Sequence, residues 1–355
     1  MKIVEIIKKF HAAFMTKYQK RLLPGHRRAL DSISRCRTPE SGEMVLKCPD
    51  CGKIEYLPHS CGHRNCPQCQ NHETTEWLER QRKKLVPVPY FLVTFTIPST
   101  LRPAAWKSQK TFFDAMFKAS IATLKELAGN ERFLGGKIGA TGVLHTHNRR
   151  LDFHPHIHFL LPAGAIDVKR RFWKRKSWKF LLPEKALGKS FRGKLIAELC
   201  ERKIAFPGSV KKLNWIVNCK RTGFGEKALE YLSRYLYRGT ISEKRIFELE
   251  GGKVGFSYIE SKTKQQKKRI LPGEDFLWLL VQHVLPKGFR RTRDFGFLHG
   301  NAYKTLSLLQ LLLHVKTGLR PEPIRPVFHC PDCRTAMEVI ACRVFRGVSE
   351  KQLSP

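Results

Sequence analysis

The sequence predicts an α+β protein with a zinc-ribbon-like module near its N-terminus. Two observations carry this prediction. Helical stretches with apolar residues three or four apart alternate with short strands rich in aromatic and β-branched residues. Residues 40–70 instead concentrate cysteine, histidine, glycine and proline without helical periodicity, and such a segment has little core of its own and needs another source of stability. We expect a helical and zinc-binding domain over 1–86, a main α+β domain over 87–300, and a basic C-terminal region over 301–355.

The individual elements follow from local patterns. The apolar stripe that begins at Ile3 and ends at Phe14 predicts an amphipathic helix, which the Pro24-Gly25 pair closes. Beyond it, helices are predicted over 71–85, 107–127, 183–201, 226–238 and 276–284. Strands are predicted over 90–97, 139–147, 153–161 and 215–219, with a hairpin formed by 253–259 and 268–271. After Pro286 the chain is predicted to be helical.

The charge balance indicates an anionic partner. Lysine and arginine total 66 against 30 acidic residues, which gives a net charge of +36 over 355 residues. Nucleic acid fits this excess best. No apolar run is long enough to span a bilayer, so we expect no membrane association. The charged N-terminus does not resemble a signal peptide, and in a reducing cytoplasm the eleven cysteines indicate metal sites or free thiols.

Two cysteine knuckles predict a structural zinc site. Cys48 and Cys51 form the first knuckle, and Cys66 and Cys69 form the second after fourteen intervening residues. This spacing is typical of tetrahedral zinc, and four thiolates leave no open position for a substrate. Three further residues between the knuckles can replace one thiolate or build a second site: His59, Cys61 and His63. A lone knuckle, Cys330 with Cys333, lies near Cys342 and His329, and its role stays open.

The histidine-rich segment around residue 156 predicts a second kind of metal site. Residues two apart on a strand point to the same side, so His156 and His158 aim both imidazoles at one point. We expect them to bind a divalent cation with a third ligand from elsewhere. His145 on the preceding strand is the preferred third ligand. His147, Asp152 and a side chain on the tyrosine-bearing helix are alternatives, because sequence does not fix the register.

A predicted helix carries two tyrosines at helical spacing. Tyr231 and Tyr235 are four residues apart and share one face, while Arg234 and Arg238 share an adjoining face. A phenol can attack phosphorus when a metal polarises the phosphate and cations offset the developing charge. The pair is therefore a candidate set of nucleophiles, although an aromatic stripe packed on a sheet has the same spacing.

A basic and aromatic run predicts contact with single-stranded DNA. Cations can follow the phosphates and aromatic rings can stack on unpaired bases. A solvated loop with its tryptophans packed on the core is the alternative. The residues of this run that we expect to contact DNA are Arg170, Arg171, Trp173, Lys174, Arg175, Lys176 and Trp178, together with Arg234 and Arg238 on the tyrosine helix.

The order of these motifs resembles a known family. A zinc knuckle pair, a His-hydrophobe-His strand and a Tyr-x-x-x-Tyr helix resemble the rolling-circle transposases of the insertion-sequence ninety-one family, within the HUH endonuclease superfamily. Further stretches that resemble the family lie over 90–98, 143–147, 182–195 and 283–298, and the resemblance extends over roughly residues 10–340.

The resemblance implies a five-stranded antiparallel sheet of ferredoxin or RRM type, with the histidines on a central strand and the tyrosines on a facing helix. By position, His156 and His158 match the metal-binding histidines, and Tyr231 and Tyr235 match the nucleophiles. Members nick single-stranded DNA at transposon ends, form a 5′-phosphotyrosine and transfer the strand. The implied cofactors are Mg²⁺ or Mn²⁺ for catalysis and Zn²⁺ for structure. A host helicase is an expected partner because no Walker phosphate loop is present, and the expected location is the bacterial nucleoid.

Two other functions compete with this one. A non-catalytic zinc-ribbon nucleic-acid-binding protein explains the charge and the cysteines but leaves the His156/His158 and Tyr231/Tyr235 pairs without a role. A metal-dependent phosphohydrolase that uses water needs the histidines and not the tyrosines.

Overall fold

The computed structural model describes residues 1–69, 71–175, 181–236, 240–260, 263–315 and 327–343. The helices are α1 (Ile3–Tyr18), α2 (Pro24–Arg35), α3 (Asn71–Arg82), α4 (Arg102–Lys107), α5 (Gln109–Gly129), α6 (Glu184–Glu201), α7 (Gly225–Leu236), α8 (Gly273–Val281) and α9 (Tyr303–Leu312). The strands are β1 (Glu43–Lys47), β2 (Ile54–Pro58), β3 (Pro89–Thr96), β4 (Gly139–His147), β5 (Phe153–Pro162), β6 (Gly164–Asp167), β7 (Phe172–Arg175), β8 (Val217–Phe224), β9 (Ile246–Leu249), β10 (Lys253–Ile259), β11 (Gln266–Pro272), β12 (Thr292–Gly296) and β13 (Glu338–Arg343).

The centre of the fold is a five-stranded antiparallel sheet. Its strands are ordered β12-β4-β5-β3-β8, so the histidine-bearing β5 lies in the middle. This confirms the predicted α+β fold with an antiparallel sheet of five strands and flanking helices. The fifth strand is β12, where the chain after Pro286 extends along β4 instead of forming the predicted helix. The predicted hairpin forms as β10 and β11, in a separate sheet with β9.

Alternation along each strand separates the two faces of this sheet. Ile157, Phe159 and Leu161 of β5 point into the main apolar core, which α5 and α6 close with Phe112, Phe191 and neighbouring side chains. His156, His158 and Leu160 point to the opposite face, as the period of two requires. Helices α3, α7 and α9 cover part of that opposite face through a separate apolar cluster.

Packing does not follow the predicted linear division at residues 86 and 300. The sheet β9-β10-β11 and helix α8 pack against α1 and α2 of the N-terminal segment, and they share one apolar cluster that includes Phe14, Val254 and Phe276. At the other end of the chain, β13 pairs with β1 to form the sheet β13-β1-β2. Sequence patterns did not predict these long-range pairings because they depend on which surfaces meet.

Among the described residues, the helices are all too short or too polar to cross a membrane.

Candidate active site

Strand register places three histidines on one patch of the central sheet. His145 on β4 lies directly opposite His156 on β5, and His158 follows two residues later on the same face. The ring centroids lie 5.2 Å apart for His145 and His156, 4.5 Å for His145 and His158, and 4.8 Å for His156 and His158. One nitrogen of each ring lies within 4.8 Å of the other two nitrogens. The structure thus brings the preferred third residue, His145, to the predicted pair.

The turn between β4 and β5 holds this register. The side chain of Asn148 accepts hydrogen bonds from the backbone of Arg150 at 2.9 Å and of Asp152 at 3.0 Å. Leu151 adopts a left-handed conformation with φ of 63°, and its carbonyl accepts a hydrogen bond from Gln282 at 3.1 Å. These contacts tie the turn to the end of α8, so the facing histidines rest on a fixed frame.

Neighbouring groups orient two of the three rings. Nδ1 of His158 lies 2.8 Å from the hydroxyl of Thr94 on β3, and Nδ1 of His156 lies 2.7 Å from the carbonyl of His154. Since a carbonyl only accepts, Nδ1 of His156 carries the proton and its Nε2 is left with a lone pair. Such outer contacts fix the tautomer of metal-binding histidines.

The electrostatics keep these imidazoles neutral. Burial lowers the pKa of His156 to about 4 and that of His158 to about 3. Burial, followed by the charge of His158, holds the pKa of His145 well below its ordinary value. A neutral imidazole is the form that binds a metal ion, so three converging nitrogens fit a divalent cation at neutral pH. His156 remains half-buried, which leaves an approach to the cluster.

Helix α7 lies over the same face of the sheet. It begins at Gly225, where an added Cβ would lie 2.7 Å from the Tyr90 ring, and its Leu229 and Leu232 join the apolar cluster that contains Val143 and Leu160. Val143 is the cross-strand neighbour of His158. The backbone of positions 231 and 235 therefore belongs to a helix packed beside the histidine cluster. The side chains of Tyr231, Tyr235 and Arg234, and all of Arg238, lie outside the described residues.

The predicted DNA-contacting run is only partly available for that role. The Trp173 ring is buried and packs edge-on against Phe297 at 6.1 Å, so its predicted stacking on bases is corrected to core packing. Lys174 is bound to Glu131 at 2.9 Å and to the carbonyl of Gly135 at 2.8 Å. Arg170, Arg171 and Arg175 are exposed. Lys176 and Trp178 lie outside the described residues.

A basic groove lies beside the sheet edge formed by β12. It has a volume of about 700 Å³ and its basic lining residues are Arg64, Arg80, Lys83, Lys84, Arg290 and Arg291. The Arg291 guanidinium donates to the carbonyl of Leu144 at 3.0 Å, next to His145. Its charge also contributes to lowering the pKa of His145 and His156. The groove therefore adjoins the histidine cluster. Three of these basic residues, Arg80, Lys83 and Lys84, were not predicted from the sequence because they look like ordinary surface charges.

The cysteines form two clusters instead of the single predicted site. Cys66 and Cys69 join Cys36 and Cys61, with Sγ separations of 3.2 Å for Cys36–Cys69 and 3.6 Å for Cys61–Cys69. Cys48 and Cys51 join Cys330 and Cys333. The predicted grouping of Cys48, Cys51, Cys66 and Cys69 around one zinc is therefore wrong. The hairpin of β1 and β2 keeps the two knuckles apart, and each knuckle lies beside a different pair of cysteines. Cys36 was missed because a single cysteine after a helix has no spacing signal.

The Cys36 cluster has the chemistry of a structural zinc site. Four sulfur atoms converge, and together they would complete the tetrahedral coordination shell of one zinc ion. Burial raises the pKa of the Cys36 thiol to about 12, so an ion must displace protons to bind.

Comparisons with known proteins agree with both parts of this description. A family model described as "Transposase zinc-binding domain" matches residues 6–97, and a model described as "Putative transposase" matches residues 139–305. The first match contains the Cys36 cluster, and the second contains the histidine cluster and α7. No solved structure matches the chain.

Two relatives extend these matches over most of the chain. A protein from Sinorhizobium fredii (strain NBRC 101917 / NGR234), "Putative transposase y4qJ", is 30% identical over 386 residues and is aligned over 98% of this chain and 96% of its own length. The "Transposase for insertion sequence element IS801" from Pseudomonas savastanoi pv. phaseolicola is 31% identical over 284 residues, which cover 74% of this chain and 68% of the relative.

The fold, the cysteine cluster and these matches define a transposase with an N-terminal zinc-binding domain. The chain belongs to the IS91 family of insertion-sequence transposases.

Proposed function

We propose that the protein is a metal-dependent tyrosine endonuclease that nicks single-stranded DNA at transposon ends and transfers the cut strand. Attack by a tyrosine hydroxyl on the scissile phosphate forms a 5′-phosphotyrosine and releases a free 3′-OH on the other fragment. The bond energy is stored in the phosphotyrosine, so a later strand can displace the protein and complete rolling-circle transfer. Such a protein acts at the bacterial nucleoid, with a host helicase to separate the strands.

The observation that carries this proposal is the convergence of three neutral imidazoles on the sheet face that α7 covers. His145, His156 and His158 point at one place, and the helix with positions 231 and 235 packs beside them. A purely structural role does not need three neutral imidazoles that converge on one point, with His156 only half-buried. We assign Tyr231 and Tyr235 as the nucleophiles on this basis and on their match to the family.

The three histidines are assigned as ligands of a divalent cation. When bound, the ion polarises a phosphate oxygen as a Lewis acid. Nitrogen donors suit Mn²⁺ and other transition ions better than Mg²⁺, which prefers oxygen. Thr94 holds the His158 ring, and the carbonyl of His154 holds the His156 ring, so neither ring has to be ordered when the ion binds. Arg291 adds positive charge beside the cluster.

We assign the basic groove, defined by Arg64, Arg80, Lys83, Lys84, Arg290 and Arg291, as the path of the DNA strand toward the histidines. Lys83 and Arg290 are exposed. Cations lining a groove raise the local concentration of a polyanion and follow its phosphates. Arg170 and Arg171 on the β6–β7 turn remain candidates for additional contacts.

A cleavage assay tests the proposal. Labelled single-stranded DNA from an element end is incubated with the full-length protein and Mn²⁺ or Mg²⁺, and covalent adducts are resolved on a denaturing gel. Wild-type protein is expected to form an adduct, whereas Tyr231→Phe combined with Tyr235→Phe removes the attacking oxygen and is expected to abolish it. Tyr237→Phe is the matched control and should retain the adduct.

The outcomes separate the three candidate functions. Cleavage that survives in the double tyrosine variant would contradict the tyrosine mechanism and favour hydrolysis by water. Tight binding of wild-type protein to every tested element end without cleavage would favour a nucleic-acid-binding module.

A further inference from the structure

We propose that the protein contains a second structural zinc site that joins its N-terminal zinc-binding segment to its C-terminal segment. The ligands are Cys48, Cys51, Cys330 and Cys333. The matched zinc-binding family model ends at residue 97, so two of the four ligands lie outside it. This site does not depend on the proposed catalysis.

The sulfur positions fit a tetrahedral ion. The Sγ atoms are 3.4 Å apart for Cys48 and Cys333, 3.6 Å for Cys51 and Cys330, and 3.7 Å for Cys51 and Cys333. A tetrahedron with Zn–S bonds of about 2.3 Å places its sulfurs roughly 3.8 Å apart. The spacings are well beyond the roughly 2.05 Å of a disulfide bond.

The two halves of the site are built alike. Each is the tetrapeptide Cys-Pro-Asp-Cys, and the following residue has a left-handed backbone, with φ of 73° at Gly52 and 64° at Arg334. The Gly52 amide donates to the carbonyl of Cys48 at 3.1 Å, and the Arg334 amide donates to that of Cys330 at 3.0 Å. This matched turn geometry presents the paired thiols of each half toward the other.

Polar contacts fix the relation between the two halves. Lys53 forms an ion pair with Asp332 at 2.8 Å, and the hydroxyl of Thr335 donates to Asp50. Strand β13, just after the second knuckle, pairs with β1, just before the first. The two knuckle turns thus face each other at the same end of one small sheet.

The surroundings explain why a metal is needed there. All six residues of β13 are exposed, and the buried members of the local apolar cluster are Leu46, Cys48, Cys330 and Met337. So small a core contributes little to holding the C-terminal segment in place. An ion that binds both knuckles would supply that stabilisation, because its binding free energy becomes folding free energy.

Zinc content of the full-length protein tests the site. Replacing Cys330 and Cys333 by serine is expected to remove one zinc per chain relative to wild type. Cys48→Ser combined with Cys51→Ser should remove the same ion. A variant with all four replacements should therefore still bind only one zinc ion fewer than wild type. Cys342 is an exposed thiol in β13, so Cys342→Ser is the matched control and should leave the zinc content unchanged.

Two results would overturn the proposal. One is an unchanged zinc content after replacement of Cys330 and Cys333, and the other is a loss of two ions when both knuckles are replaced.

A measurement on wild-type protein avoids any variant that fails to fold. Cys51, Cys333, Cys200 and Cys342 are all exposed. If zinc binds as proposed, Cys51 and Cys333 react slowly with an alkylating reagent until a chelator is added, while Cys200 and Cys342 react at once. Equal rates for all four thiols in zinc-loaded protein would contradict the site.

Discussion

His145 and His156 face each other across β4 and β5 as a cross-strand pair, with ring centroids 5.2 Å apart. This pairing turns a two-histidine strand motif into a three-nitrogen cluster, because His158 already shares the face of His156. The register that creates it is fixed by the Asn148 turn and by the contacts of Leu151.

The first prediction concerns His145. Replacing His145 by alanine removes one of three ligands and is expected to weaken Mn²⁺ binding by more than about 10-fold, the lower limit for losing even an outer partner of a ligand. Calorimetric titration with Mn²⁺ measures this. His154→Ala is the control, because that ring contacts Arg102 and its backbone carbonyl remains to orient His156. Equal affinities for the two variants would argue against His145 as a ligand.

The second prediction concerns Thr94, which positions His158. Thr94→Val keeps the shape of the side chain but removes the 2.8 Å contact with Nδ1, and metal affinity is expected to fall about 10-fold. Thr222→Val on β8 also loses a hydroxyl hydrogen bond, to the carbonyl of Tyr90, and should leave metal affinity unchanged. Unfolding midpoints of both variants check that the loss is local. Wild-type metal affinity in Thr94→Val would show that Thr94 does not position His158 for metal binding.

Features that depend on residues close together in the sequence were predicted, whereas features that depend on distant segments were not. The strand positions of His156 and His158 followed from alternation, which is local. The register that adds His145 was a preference among alternatives, since pairing depends on the neighbouring strand. The strand β12 was mistaken for helix because its sequence, Thr-Arg-Asp-Phe-Gly, contains a single large apolar residue and so shows no period of two.

The cysteine clusters show the same limit over longer distances. Spacing identified the Cys48/Cys51 and Cys66/Cys69 knuckles as metal-binding turns but paired them with each other. The actual partners of the first knuckle are about 280 residues further along the chain. Trp173 similarly lies in a basic run, yet its ring fills a pocket beside Phe297 that only the folded chain creates.

The third prediction concerns stability at acidic pH. Burial lowers the pKa of His26 to about 4 and that of His283 to about 3, below the ordinary value of about 6.5. At pH values between the folded and the unfolded pKa, the unfolded chain binds more protons than the folded chain. The free energy of unfolding is therefore highest above pH about 6.5 and falls as the pH drops toward 4. Each histidine contributes a slope of at most about 1.4 kcal/mol per pH unit.

Denaturant unfolding at several pH values between 7 and 5 measures this slope. The leucine in His26→Leu cannot take up a proton. The variant should therefore show a smaller slope of the free energy of unfolding with pH, corresponding to at most one proton fewer taken up on unfolding. It should also lower the stability at pH 7 slightly, because Nδ1 accepts from the Leu23 amide at 3.3 Å. His11→Leu, on the exposed side of α1, is the matched control. A wild-type slope in His26→Leu would exclude His26 as a source of acid sensitivity.

The fourth prediction compares two basic surfaces. Lys83→Ala with Arg290→Ala removes two exposed cations from the groove. This should weaken single-stranded DNA binding and reduce the salt slope by roughly 0.7 for each phosphate that the variant no longer neutralises. Arg170→Ala with Arg171→Ala removes the same charge from the β6–β7 turn and should have the smaller effect. Fluorescence anisotropy across a salt series gives both quantities. A larger loss of affinity in the turn variant would move the DNA path to that surface.

The most direct test of the central claim is identification of the residue that becomes joined to DNA. Wild-type protein is reacted with an element-end strand, the adduct is digested with nuclease and protease, and the modified peptide is sequenced by mass spectrometry. The account predicts a nucleotide attached through phosphate to the hydroxyl of Tyr231 or Tyr235. Attachment at any other residue, or complete cleavage without a covalent adduct, would contradict it.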